Sequence, residues 1–228
     1  DDGQNVEWLR FGDRWAAVTK GDPAAARERY LAWLEPRIAA MYRLLAPTGA
    51  FLLHLDWHAV HYAKVLCDGI FGEARFQNEL IWYYQTGGAS RGRFSRKHDT
   101  LLLYSRGESF YFDGAAIRIP RTPKAMKRAR CGTGARIAAT DTHKNPDDVL
   151  MVPALNPMAR ERTGYPTQKP VALLETLIQA LCPAGGAVGD FCCGSGTTLV
   201  AAERLGRRWA GGDTNAAALR IARRRLDG

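Results

Sequence analysis

Tyr30, Leu31, Leu34, Ile38, Met41 and Leu45 recur at spacings of three and four between residues 24 and 45. That period lays one apolar stripe along a helix. Asp22 and Pro23 supply a cap and a first-turn proline, and Pro47-Thr48-Gly49 stops the run. Pro36 falls inside it and predicts a kink or break. The pattern then changes. Residues 50–56 are short and nearly all apolar, as a buried strand of a parallel sheet would be. A helix is expected over 58–71, closed by Gly72, then strands over 77–84 and 99–105 and an edge piece at 109–112. Leu173, Leu174, Leu177, Ile178 and Leu181 mark a helix from 171 to 181. A strand to Asp190, a helix from about Thr197, a strand over 208–213 and a last helix over 216–226 complete the chain. Strands and helices alternate, so the fold class is α/β.

Three stretches lack such periods. Residues 1–22 are polar, with Trp8, Phe11 and Trp15 expected to pack a loop onto the body. Residues 85–97 are glycine-bearing and basic, and read as flexible. Residues 114–148 carry Arg118, Arg121, Lys124, Lys127, Arg128, Arg130 and Arg136 with little apolar order. A length of 228 residues suits one domain, or one domain with an insertion. The net charge of +9 points to a polyanionic partner. No apolar run is long enough to span a membrane. The five cysteines are odd in number and form no Cys-x-x-Cys pair, which argues against zinc and a disulfide framework and fits a reducing cytoplasm. His54, His58, His61 and His98 show no metal-ligand spacing, so no metal is expected.

The candidate chemistry concentrates in Asp190-Phe-Cys-Cys-Gly194-Ser-Gly196-Thr197-Thr198. A strand, a glycine-bearing turn and a helix start point free N–H groups at whatever lies in the turn. Asp213 follows 23 positions after Asp190, at the tip of the next strand, where an acid can accept the two hydroxyls of a ribose. A dinucleotide fingerprint would need a third glycine where Leu199 stands, and a P-loop would need Gly-Lys-Ser/Thr. What remains is a nucleoside-binding turn with its own carboxylate. That carboxylate would repel a pyrophosphate and suit an ammonium group. A ligand with both a ribose and an ammonium suggests S-adenosylmethionine.

Asp190–Thr198 resembles the cofactor loop of the DNA amino-methyltransferases, usually Asp-Pro-Phe-x-Gly-Ser-Gly-Thr-Thr, with Phe191 and Cys192 in place of Pro-Phe. Tyr165-Pro-Thr167-Gln168-Lys169-Pro170 resembles the same family's Pro-Thr-Gln-Lys-Pro motif, and Arg96-Lys-His98-Asp99-Thr-Leu-Leu-Leu-Tyr104 its Arg-x-x-His-Asp-x-Leu-Leu-Tyr text. The resemblance is to the permuted (beta-class), restriction-modification type, in which the cofactor motifs come last. It implies a Rossmann-like methyltransferase fold, a mostly parallel twisted sheet flanked by helices, in a single domain over 1–228. Within it, 24–112 would be a catalytic half, 113–160 a short basic target-recognition-like insert and 161–228 the cofactor-binding half.

The activity implied is methylation of an exocyclic amine, N6 of adenine or N4 of cytosine, in double-stranded DNA. Asp190 would meet the methionine ammonium, with Phe191, Gly194, Ser195 and Gly196 forming the turn. Thr197 and Thr198 would reach a carboxylate, Asp213 would hold the ribose, and Thr167, Gln168 and Lys169 would face the methionine end. Asp56, at a strand's carboxyl edge, is a further cofactor candidate. Arg91, Arg93, Arg96 and Lys97, beside Phe94, would meet DNA. Trp82, Tyr83 and Tyr84 fit either a base pocket or the core. The family's amine-holding Asp/Asn/Ser-Pro-Pro-aromatic motif is absent. The nearest strings are Asp22-Pro-Ala-Ala, Asn145-Pro-Asp-Asp and Asn156-Pro-Met-Ala. It is expected upstream of Asp1. The competing expectation is a catalytically incomplete relative that binds cofactor or DNA. A homodimer and a cognate restriction endonuclease are the other partners that the family admits.

Overall fold

Asp22 caps the first helix as the sequence predicts, its carboxylate accepting from the N–H of Ala24 (2.9 Å) and Ala25 (3.3 Å). That helix, α1, is Pro23–Leu44. The computed structural model describes residues 22–85, 89–131 and 140–228. The expected aromatic-bearing loop over 1–21 and Arg136 lie outside the described residues. The elements after α1 are β1 (Ala50–Leu55), α2 (Val60–Phe71), β2 (Phe76–Tyr83), β3 (His98–Ser105), β4 (Ile119–Pro120), α3 (Pro123–Arg130), β5 (His143–Lys144), β6 (Val149–Leu150), α4 (Val171–Leu181), β7 (Ala187–Asp190), α5 (Thr197–Arg204), β8 (Arg208–Gly211) and α6 (Ala216–Leu226).

Helix α1 runs through Pro36 without the expected break. The Arg37 side chain folds back there, donating to the Trp33 carbonyl (2.6 Å) and lying 4.0 Å over the Trp33 ring. Those contacts brace the turn in which the proline removes a backbone donor.

The sheet order is β1-β3-β2-β6, and β7 pairs with β8. Strand β3 runs antiparallel to both β1 and β2, whereas β2–β6 and β7–β8 are parallel. The expectation of a mostly parallel sheet, with 50–56 as one of its parallel strands, is corrected. No helix separates β2 from β3, so β3 returns beside β2 as a hairpin. An apolar strand reports burial on both faces and says nothing of its neighbour's direction. Residues 109–112 form no edge strand. They are an irregular segment tied by Tyr111 N–H to the Thr48 carbonyl (3.1 Å), with Phe110 and Phe112 rings 6.3 Å apart.

Leu34 and Ile38 of α1 and Val60, Ala63, Cys67 and Phe71 of α2 pack on Phe51, Leu102 and Tyr104 of the sheet. Helix α4 packs into two clusters at once. Its Leu173 and Leu177 pack with Trp82, Leu101 and Leu150, and its Val171 and Ile178 with Val200, Ala201 and Ala202 of α5. Each buried Leu, Ile, Val or Phe side chain here contributes about 1.5–3 kcal/mol. Among the described residues no helix is long and apolar enough to cross a membrane.

Candidate functional site

The turn from β7 into α5 is held by its own backbone and two carboxylates. Gly212 N–H donates to the Asp190 carbonyl and Cys193 N–H to the Gly212 carbonyl, both at 3.0 Å. Asp213 accepts from Gly194 N–H and Asn215 N–H, both at 2.8 Å. Asp190 accepts from Cys192 N–H (3.1 Å) and the Thr198 hydroxyl (2.5 Å). Burial pushes the Asp190 carboxyl above its ordinary range, and the Asp213 charge adds to that. The bonds from Thr198 and Cys192 oppose it. A carboxyl in this state gains from a cation placed beside it. Phe191 lies on the rim of the turn, 43% exposed.

Two glycines set the backbone here, with φ of 51° at Gly194 and 75° at Gly196. A Cβ on Gly194 would sit 3.1 Å from the Tyr165 ring, and one on Gly196 would sit 2.7 Å from Ala222 Cβ of α6. Gly196→Ala is expected to cost about 2–4 kcal/mol, from left-handed backbone strain plus overpacking. Urea unfolding measures this, and an unchanged midpoint would contradict the close seating of α6.

Arg225 reaches behind the turn. Its Nη1 donates to the Ser195 carbonyl (2.8 Å), the Ser195 hydroxyl (3.3 Å) and the Thr197 hydroxyl (3.0 Å). Ser195 and Thr197 are buried. Of the paired threonines, Thr198 faces a carboxylate, that of Asp190, while Thr197 faces the arginine. The Arg223–Arg225 run is not wholly the solvated face that helix polarity alone suggests, because Arg225 packs inward. Burial lowers its pKa from the ordinary arginine value.

The Pro-Thr-Gln-Lys segment arrives at the same turn through Tyr165. Gln168 folds this segment on itself, accepting from Thr163 N–H (2.8 Å) and the Thr163 hydroxyl (2.7 Å) and donating to the Glu161 carbonyl (2.6 Å). Thr167 lies beside the Tyr165 hydroxyl, whose pKa burial raises. Lys169 turns to the sheet, where its Nζ donates to Asp99 Oδ2 at 2.9 Å and lies 5.0 Å from the Trp82 ring centre.

Asp99 is the hub of a group that reading the sequence did not assemble. It also pairs with His54 Nε2 (3.1 Å) and accepts from the Tyr84 hydroxyl (3.2 Å). Burial pushes its carboxyl up, but the hydrogen bond from His54 and the charge and hydrogen bond of Lys169 win and hold it well below the usual range. Burial lowers the His54 pKa, which leaves the ring neutral near pH 7. Tyr84 is pushed up to about 12 by burial and by the Asp99 charge. His54 had no partner in sequence. Asp99 stood in a motif, yet only the antiparallel register of β1 on β3, which sets Leu101 opposite His54, brings Asp99, two positions along β3, within reach of the His54 ring.

Asp56 follows β1 and caps the next turn, accepting from His58 N–H at 3.0 Å and pairing with His58 Nδ1 at 2.7 Å. Beside it Trp57 is 41% exposed, with the Arg96 guanidinium 3.5 Å over its ring. Arg91, Arg93 and Arg96 are exposed. In the insert, Arg118 and Arg121 both pair with Asp141, the latter at 2.9 Å. The chain thus brings Asp190, Asp213, Tyr165, Lys169, Asp99, Tyr84 and Asp56 to strand ends and the loops joined to them. Among the described residues no group of three His, Cys, Asp or Glu is arranged to hold a metal ion.

A family model described as DNA methylase matches residues 19–224. The chain is 31% identical over 215 residues to the type II methyltransferase M.ScaI of Streptomyces caespitosus, covering 88% of this chain and 68% of that protein. It is 30% identical over 201 residues to the type II methyltransferase M.HpaI of Haemophilus parainfluenzae, covering 87% of this chain and 60% of that protein. The crystal structure of the M1.HpyAVI–SAM complex shares the fold at a TM-score of 0.61 and 18% identity, over 86% of this chain and 82% of that one.

Proposed function

The chain belongs to the DNA methylase family whose model it matches, and from that premise we propose that it methylates an exocyclic amine in double-stranded DNA, N6 of adenine or N4 of cytosine, with S-adenosylmethionine as methyl donor. The observation that supports this most is the turn between β7 and α5. A desolvated carboxyl, a second carboxylate 23 positions on and a helix start meet at one turn. That donor set fits an amino acid joined to a ribose.

In this reading Asp190 receives the ammonium, and Thr198 and Cys192 N–H hold its carboxylate in place. Asp213 accepts the ribose hydroxyls on lone pairs left after Gly194 and Asn215, since a carboxylate offers about four acceptor sites. Phe191 and Gly194 border the turn. Ser195, Gly196 and Thr197 shape it from behind through Arg225 and Ala222. Gln168 and Thr167 fold the loop that presents Tyr165, and Lys169 ties that loop to Asp99. Asp56 stands at the carboxyl edge of β1, beside Trp57. Bound S-adenosylmethionine supplies an electrophilic methyl group, and the chain's contribution is mainly to place donor and amine in line. We take residues 161–228 as the cofactor half, 24–112 as the catalytic half and 113–160 as the insert.

The chain spans 60–68% of the length of the two curated relatives described above. The amine-holding Pro-Pro-aromatic motif does not occur in residues 1–228. The deciding experiment extends the chain upstream and supplies labelled donor with unmodified DNA and, separately, RNA. Label in DNA alone supports the reading. No label in any DNA sinks it.

Arg91, Arg93, Arg96 and Lys97 supply the phosphate contacts in this proposal. Binding to a mixed-sequence duplex is expected to weaken steeply with salt. Replacing both Arg91 and Arg93 by Gln is expected to cut the log–log salt slope by about two, at roughly 0.9 per phosphate contact. Titration at several salt concentrations reads this directly, and an unchanged slope would remove these arginines from the interface. We place the protein in the reducing cytoplasm, on its five free cysteines. A homodimer and a cognate restriction endonuclease are further parts of the proposal.

A further inference from the structure

Phe94 is 99% exposed, more than any other large hydrophobic side chain among the described residues. A single exposed apolar side chain ordinarily needs no account. This one sits in a built setting. The loop between β2 and β3 is closed at its base by Tyr84 N–H on the Lys97 carbonyl (2.8 Å). It is closed again near its tip by Ser90 N–H on the Ser95 hydroxyl (2.9 Å). Arg96 then lays its guanidinium 3.5 Å over Trp57, which pins the loop beside the carboxyl end of β1. The stapled tip therefore holds Phe94 out into solvent, between Arg93 and Arg96, next to the edge where Asp56, Trp57 and Tyr84 lie.

We propose that Phe94 is a wedge that enters the base stack of duplex DNA gripped by the arginines around it. The proposal rests on the DNA reading above and deepens it. Charged neighbours hold phosphates on either side, and the ring between them meets the base stack. An apolar side chain driven into a base step unstacks it and bends the duplex. An enzyme acting on a base amine must also extrude that base, and a ring that fills the vacated space opposes its return. Arg96, held over Trp57, fixes where along the groove the wedge enters.

The test needs no knowledge of a recognition sequence. The full chain and its Phe94→Ala and Phe94→Leu variants are titrated with a mixed-sequence duplex and with the same duplex carrying one abasic site. An abasic site has already lost the stacking that a wedge must break. The parent chain is expected to prefer the abasic duplex by about tenfold. Phe94→Ala is expected to bind both duplexes alike with its salt slope unchanged, and Phe94→Leu to keep part of the preference. Equal preference in the parent and the alanine variant would overturn the wedge, as would no preference in the parent. Failure of the parent to bind any duplex would instead strike the DNA reading on which the wedge depends. Because the side chain is exposed, the melting temperature of Phe94→Ala is expected to stay at the parent value.

Discussion

Asp190→Asn lowers affinity for S-adenosylmethionine by about thirtyfold to a few thousandfold, while the chain still folds. Removing one charge from a desolvated, hydrogen-bonded pair costs about 2–5 kcal/mol, and each 1.4 kcal/mol is a factor of ten. Asparagine keeps the shape and can still accept from Cys192 N–H or Thr198, so the loss isolates the charge. Burial is the main reason that the native carboxyl titrates above the ordinary aspartate range. Affinity should therefore fall on acidification at a higher pH than an ordinary aspartate would give, and that fall should vanish in the variant. The sign for stability is opposite. An acid whose folded pKa is raised costs stability once it ionises, so the variant should be no less stable than the parent at neutral pH. Calorimetric titration with the donor across pH checks both. Unchanged affinity in Asp190→Asn would remove the ammonium contact.

The second large effect is expected from Asp99→Ala, which removes the partner of His54, Lys169 and Tyr84 together. Breaking a buried ion pair from one side costs about 3–5 kcal/mol. Lys169 keeps 31% of its side chain in solvent, so we expect about 2–4 kcal/mol here. Urea unfolding reads the loss. The pH dependence has a definite sign. Asp99 is depressed in the folded chain, so its contribution is present at neutral pH and lost as pH falls below the ordinary aspartate value. His54 is also depressed, and the unfolded chain takes up its proton first, so acid weakens folding from about pH 6.5 downward. The parent should lose stability through both groups on acidification, and Asp99→Ala should lose the aspartate part of that slope. Because Lys169 ties the Tyr165 loop to β3, the variant should also bind the methyl donor more weakly. A variant as stable as the parent at pH 7 would show that the hub adds nothing to the fold.

Much of this was legible before any coordinates. The helices over 23–44, 171–181 and 216–226 follow from local residue patterns, the first also from Asp22 and Pro23 at its start, while the Asn215 cap of the last emerged only in the structure. Helix and strand periods are local, and so are caps. The turn at Asp190–Thr198 was legible for a similar reason, because glycines and a carboxylate between a strand and a helix can do few things. The roles within it were less so. Ser195 and Thr197 look from the sequence like ligand contacts, yet Arg225, 28 positions beyond Thr197, takes both hydroxyls. Nothing in a run of three arginines marks which one turns inward.

Strand direction was beyond reach for the same reason. The apolar run at 50–55 reports that both its faces are covered, whereas its antiparallel partner lies about fifty residues away. The sequence by itself determined the long helices and strands, the glycine-bearing turn and the basic loop, because each is written in neighbouring residues. Only the tertiary structure decided the mixed sheet, the Arg225 brace and the Asp99 hub. Those depend on contacts between residues 15 to 70 positions apart, and a contact at that separation is set by how the layers pack rather than by any local pattern.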